Sequence, residues 1–137
     1  TDGRIIKEMI DEFVSSNKHR SISFNSMGHL NYLSTLQFVD GVVGNSSSGL
    51  SEAPIFNIGT INIGDRQKGR LKADSVIDCE NLEKSIKKSI DTLYSDDFQN
   101  LLPSVVSPYS EGTEIKVIDV LRDSPLPKEL KKEFYDL

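Results

Sequence analysis

Gly41-Val42-Val43-Gly44 is the stretch that most restricts how this chain folds, because a very short β-branched run closed by glycine at both ends reads as a strand buried on both faces. Such strands belong to parallel sheets sandwiched between helices. The run passes directly into Asn45-Ser46-Ser47-Ser48-Gly49, a cluster of small polar residues where a helix is expected to begin.

The rest of the chain supplies the layers that such a strand needs. Ile5, Ile6, Met9, Ile10, Phe13 and Val14 recur at the spacing of one helical face over residues 4–14, with Lys7, Glu8, Asp11 and Glu12 opposite and Thr1 or Asp2 as cap. After a polar break at residues 15–20, Ile22 and Phe24 alternate with serines over residues 21–25, which predicts a strand ending before Gly28. A helix is expected over residues 31–39, apolar at Tyr32, Leu33, Leu36 and Phe38. Residues 50–56 suit a short helix interrupted by Pro54; Thr60-Ile61-Asn62-Ile63 reads as the next strand, and Val76 and Ile77 mark another. Leu82, Ile86, Ile90 and Leu93 then repeat at helical spacing with Lys84, Lys87 and Lys88 toward water. A final helix, residues 113–121, follows the turn-forming residues 108–112.

Alternation of this kind predicts an α/β class: a Rossmann-like parallel sheet with helices on both faces. A chain that opens on a helix lacks the strand that normally precedes it in a doubly wound sheet, so one or more first strands are expected to be missing. The expected division is one partial nucleotide-binding domain over residues 1–124 and a tail over residues 125–137, with Pro125 and Pro127 as the stop and Phe134 and Tyr135 beyond it.

Charge and composition exclude several classes of function. A formal net charge of -5, with no dense Lys/Arg run, argues against a nucleic-acid partner. No apolar run approaches the ~20 residues that cross a bilayer and no secretory signal opens the chain, so a cytoplasmic location without membrane attachment is expected. One cysteine, Cys79, rules out an internal disulfide, and with only His19 and His29 beside it the chain has too few soft ligands for structural zinc. Cys79 reads as a buried or half-buried small apolar residue. His19 in a charged loop and His29 in a turn before a helix read as solvated rather than catalytic.

The serines stand where a buried strand gives way to a helix, the edge at which open α/β sheets collect ligands. First-turn N–H groups and the positive end of the helix dipole favour a diphosphate; Ser46, Ser47 and Ser48 add hydroxyls, and Gly49 keeps a side chain out of the way. Glu52, one to two turns on, suits the two hydroxyls of a ribose. Arg66, just past the strand at residues 60–63, brings a fixed positive charge to the same edge. The plain alternative is a helix cap, for which one serine suffices; a full capping box is absent, since the residue three before Glu52 is Gly49.

Taken together, Gly44-Asn45-Ser46-Ser47-Ser48-Gly49-Leu50-Ser51-Glu52-Ala53-Pro54 and Thr60-Ile61-Asn62-Ile63-Gly64-Asp65-Arg66-Gln67-Lys68-Gly69-Arg70 closely resemble the hydrolysing UDP-N-acetylglucosamine 2-epimerases, including the bacterial sialic-acid enzymes. The resemblance runs from Thr1-Asp2-Gly3-Arg4 through Ser107-Pro108-Tyr109 to the tail. It implies most of the C-terminal, nucleotide-binding half of a GT-B fold, with the N-terminal domain of the same enzyme as its missing partner and a homo-oligomer left open. It also implies UDP contacts at Ser46, Ser47, Glu52 and Arg66, with Ser48 and Gly49 beside them and Met27 or Tyr32 near uracil, though the last two are equally read as core residues.

The family chemistry eliminates UDP from UDP-N-acetylglucosamine through a 2-acetamidoglucal and adds water to leave N-acetylmannosamine, with no cofactor and no metal. The resemblance places the acids and bases in the other domain and in a histidine earlier in the C-terminal half, so no catalytic residue is assigned in this chain, which is expected to be inactive alone. Two other readings remain at this point: the nucleotide-sugar half of a GT-B glycosyltransferase, and a non-catalytic UDP-binding module. UDP-2,4-diacetamido-2,4,6-trideoxyglucose stands beside UDP-N-acetylglucosamine as a substrate.

Overall fold

The computed structural model describes residues 2–109 and 113–125, so the cap expected at Thr1 and the tail residues Phe134 and Tyr135 lie outside the described residues. The chain forms two units, Thr1–Val39 and Asp40–Leu137.

In the first unit the amphipathic periodicity becomes helix α1 (Asp2–Ser16), with Asp2 inside the helix. Its end follows from side chains that take the last carbonyls: Ser15 Oγ donates to Asp11 O at 2.6 Å and Asn17 Nδ2 to Phe13 O at 2.9 Å. Helix α2 (His29–Leu36) begins after Gly28, whose φ of 70° favours glycine, and stops short of Phe38, which is exposed.

The strand expected over residues 21–25 is not formed. A strand needs a neighbour to accept and return its backbone hydrogen bonds, and among the described residues the three strands pair only with one another. Ile22 and Phe24, whose alternation suggested the strand, are largely exposed.

The second unit runs β1 (Gly41–Gly44), α3 (Ser48–Ser51), a 3-10 turn (Ala53–Phe56), β2 (Gly59–Ile63), β3 (Val76–Cys79), α4 (Glu83–Leu93), α5 (Asp96–Leu101), a second 3-10 turn (Leu102–Ser104) and α6 (Thr113–Asp123). The strands lie parallel in the order β1-β2-β3, with Gly44 opposite Asn62 and Asn62 opposite Asp78. Helices cover both faces, and two glycines show how closely. A Cβ on Gly49 of α3 would lie 2.5 Å from Thr60 Cγ2, whereas a Cβ on Gly59, the preceding residue of β2, would lie 2.3 Å from Leu93 Cδ1 of α4. Successive strand residues face opposite ways, so α3 and α4 sit on opposite sides of β2. Ile61 is wholly enclosed, a burial that contributes about 1.5–3 kcal/mol.

Three details differ from the sequence pattern. Helix α3 is a single turn, because Pro54 has no N–H to donate to Leu50 O and the chain tightens into the 3-10 turn instead. Leu82 precedes α4 in extended conformation and is exposed, leaving Ser89 and Leu93 as the buried residues of that helix. Helix α5 was not anticipated, although Ser95-Asp96-Asp97 carries a start signal: Ser95 Oγ accepts from Phe98 N–H at 3.4 Å and two carboxylates occupy the first turn. No described helix is long and apolar enough to cross a membrane.

Candidate functional site

The serine cluster sits at the carboxyl end of β1, as expected, and its three hydroxyls differ in what they do. Ser46 Oγ accepts from Ser48 N–H at 3.3 Å, bracing the turn into α3, whose N-cap Ser47 makes no side-chain cap bond. Ser48 Oγ donates to Glu52 Oε2, four residues on and one helical turn away. Among the described residues the Ser47 hydroxyl has no partner, and the N–H groups of Ser46 and Ser47 meet no acceptor. A one-turn helix has little macrodipole, so attraction for an anion here depends on individual N–H groups rather than on the helix as a whole. Gly49 also takes on another role: the space its missing side chain leaves is filled by Thr60, whose Oγ1 donates to Gly49 O at 2.8 Å, so this glycine also permits a close helix–strand contact.

Arg66 comes to this turn from the end of β2, where Gly64 at φ 78° redirects the chain. Its Nη1 donates to Asn45 Oδ1 at 3.4 Å, and the adjacent Gln67 donates from Nε2 to Asn45 O at 2.7 Å. Two consecutive residues after β2 therefore hold the residue just before the serines. Arg66 is exposed, and its partner is a neutral amide, so no carboxylate among the described residues neutralises the guanidinium. Ser46, Ser47, Ser48, Glu52 and Arg66 are thus brought to one sheet edge. Sequence reading overlooked Asn45 and Gln67, although a buried glutamine directly after the arginine is the kind of residue that holds a backbone turn in place.

A family model described as UDP-N-acetylglucosamine 2-epimerase matches residues 1–122. The chain belongs to this family. It is 36% identical over 140 residues to the hydrolysing GDP/UDP-N,N'-diacetylbacillosamine 2-epimerase of Campylobacter jejuni, across 99% of the chain and 35% of that protein. It is 34% identical over 139 residues to polysialic acid biosynthesis protein P7 of Escherichia coli, across 100% of the chain and 35% of that protein. A shorter match, 30% over 84 residues, joins 61% of the chain to 22% of the UDP-N-acetylglucosamine 2-epimerase of Neisseria meningitidis. The chain spans about a third of the length of the first two relatives.

Elsewhere in this epimerase-family chain, Met27 and Tyr32 are half-buried and line one shallow hollow of the first unit together with Ser26, Gly28 and His29. His19 and His29 are exposed, and Cys79 is half-buried. A second hollow, between the ends of β2 and β3, is lined by Gly64, Asp65, Asp78, Cys79, Glu80 and Asn81 and was not foreseen. Asp65 and Glu80 would repel a phosphate, with Asp78 paired to Lys72, which directs an anion to the β1–β2 side of the edge instead. Burial alone would raise the pKa of Asp78. Hydrogen bonds from Lys72 and from Asn62 Nδ2 at 2.7 Å, with the Lys72 charge, outweigh it and hold the carboxyl below its ordinary value.

Proposed function

We propose that this chain is the UDP-holding part of an enzyme that hydrolyses and epimerises UDP-N-acetylglucosamine to UDP and N-acetylmannosamine, for the synthesis of sialic or related nonulosonic acids. The observation that carries this reading is the position of Arg66, uncompensated by any carboxylate among the described residues and hydrogen-bonded to Asn45, beside the Ser46 and Ser47 N–H groups. A cation and two N–H donors without acceptors, brought together between two parallel strands, match the needs of a diphosphate.

In this reading Ser46 N–H, Ser47 N–H, the Ser47 hydroxyl and Arg66 hold the diphosphate. Glu52 accepts the ribose hydroxyls, oriented by Ser48 Oγ; a carboxylate has room for several donors at once. On the resemblance alone, Met27 or Tyr32 packs near uracil. When the anomeric C–O bond breaks, charge builds on the departing UDP, and the same donors stabilise it without rearranging. A proton leaves the neighbouring carbon to a base supplied by the larger enzyme, and water then adds to the 2-acetamidoglucal.

The test is to incubate the full-length protein with UDP-N-acetylglucosamine and, in parallel, with UDP-2,4-diacetamido-2,4,6-trideoxyglucose. Free UDP with the corresponding manno-configured sugar supports the reading, and the faster substrate assigns the sugar. The Campylobacter jejuni relative is named for N,N'-diacetylbacillosamine, which makes the 2,4-diacetamido sugar the leading second substrate. A requirement for an acceptor would turn the reading into a glycosyltransferase, and UDP binding without turnover in the full-length protein would leave only a binding module.

A further inference from the structure

Gln67 is almost wholly enclosed, 2% exposed, and Nε2 is its only hydrogen-bonded side-chain atom among the described residues: it donates to Asn45 O at 2.7 Å while Oε1 has no partner. A buried amide left half unsatisfied is a costly way to fill space that a methionine or leucine would fill without penalty. What it holds gives it a reason. The peptide unit joining Asn45 to Ser46 is planar and trans, so its C=O and N–H point in opposite directions. Fixing the carbonyl therefore fixes the Ser46 N–H, one of the two donors in the turn that have no acceptor among the described residues.

We propose that Gln67 is a positioning residue for the anion site, gripping the Asn45 carbonyl so that the Ser46 N–H faces the diphosphate. The inference rests on the UDP reading above and adds the element that orients its donors. Arg66 and Gln67 then act as a pair: the first grips the Asn45 side chain and supplies charge, the second grips its main chain and aims a dipole.

The experiment measures dissociation constants for UDP and for uridine, by calorimetry or by NMR titration for the weaker ligand, in the full-length protein and in its Gln67→Met and Arg66→Met variants. Gln67→Met is expected to weaken UDP about fivefold to tenfold, the scale of one misdirected hydrogen bond, and to leave uridine within about twofold, because uridine carries no phosphate. If Gln67→Met does not fold, Gln67→Asn, which draws the donor back by one methylene, is expected to give the same pattern. Equal weakening of UDP and uridine would reduce Gln67 to a general structural role, and unchanged UDP affinity would overturn the proposal. If Arg66→Met weakens UDP while Gln67→Met does not, only the positioning role falls; a wild-type protein that binds no UDP overturns this proposal and the UDP reading together.

Discussion

Ser48 donates its single hydroxyl proton to Glu52, so it has none to offer a phosphate oxygen; toward an anion it presents only lone pairs. Its contribution to UDP affinity should pass through Glu52 and the ribose. Ser48→Ala is therefore expected to weaken UDP several-fold, by about 1 kcal/mol, but to leave 2'-deoxy-UDP nearly unchanged, as read by competition titration. Ser47→Ala should weaken both ligands equally, and a Ser48→Ala loss that ignored the 2'-hydroxyl would remove the ribose role of Glu52. At Gly49 the constraint is steric. Gly49→Ala puts a Cβ against Thr60 Cγ2 and should destabilise by on the order of 1–3 kcal/mol in denaturant unfolding. Thr60→Ser removes the offending methyl while keeping the hydroxyl that donates to Gly49 O, so the double variant should recover most of that loss. Additive effects would show that Gly49 is needed for another reason. From sequence, a serine beside a helix start looks the same whether it caps, orients a carboxylate or stands ready for a ligand. The division of labour among Ser46, Ser47 and Ser48 became readable only once their partners had positions.

Among the elements, α1, β1, β2, β3, α4 and α6 all appear close to where periodicity and β-branched runs put them, although Val43 of β1 and the apolar face of α1 are exposed rather than covered. Residues 21–25 had the strand pattern without a pairing neighbour, and a pattern of side chains cannot supply the missing backbone partners. Helix α5, six residues long, is too short for periodicity to register, and its cap was the only cue. Removing that cap with Ser95→Ala should cost about 0.5–2 kcal/mol in unfolding experiments, with Phe98 amide exchange rising first. The loop before β3 is tied down differently, by Lys72 on Asp78, which also accepts from Asn62 of β2. The Asp78 carboxyl titrates below its ordinary value of about 3.8, so this contact stabilises above that value and is lost as pH falls through the lowered one. Asp78 is half-exposed, so the effect is small. Melting wild type and Asp78→Asn from pH 7 to pH 3 should show their difference shrinking below about pH 4; a gap that stays constant to pH 3 would mean the ionised carboxylate contributes nothing.

For the whole molecule, the sheet divides its carboxyl edge by charge. The β1–β2 side carries Arg66 and the N–H groups of Ser46 and Ser47, and the β2–β3 side carries Asp65, Asp78 and Glu80. An anionic ligand is thus drawn to one side and turned away from the other, as the proposed UDP reading requires. In the UDP reading, elimination also requires a base at the carbon next to the anomeric centre. His19 and His29 are exposed, and the resemblance assigns proton transfer to parts of the enzyme outside the third of its relatives' length that this chain spans. Binding and turnover should therefore separate. The 137-residue chain alone is expected to bind UDP weakly, with affinity falling as salt rises and falling about tenfold to a hundredfold in Arg66→Met, and to release no UDP from UDP-N-acetylglucosamine over hours. A coupled assay for UDP decides this directly. Turnover by the isolated chain would mean that one of its own residues removes the proton, and it would move the search for the base to its own exposed carboxylates and histidines.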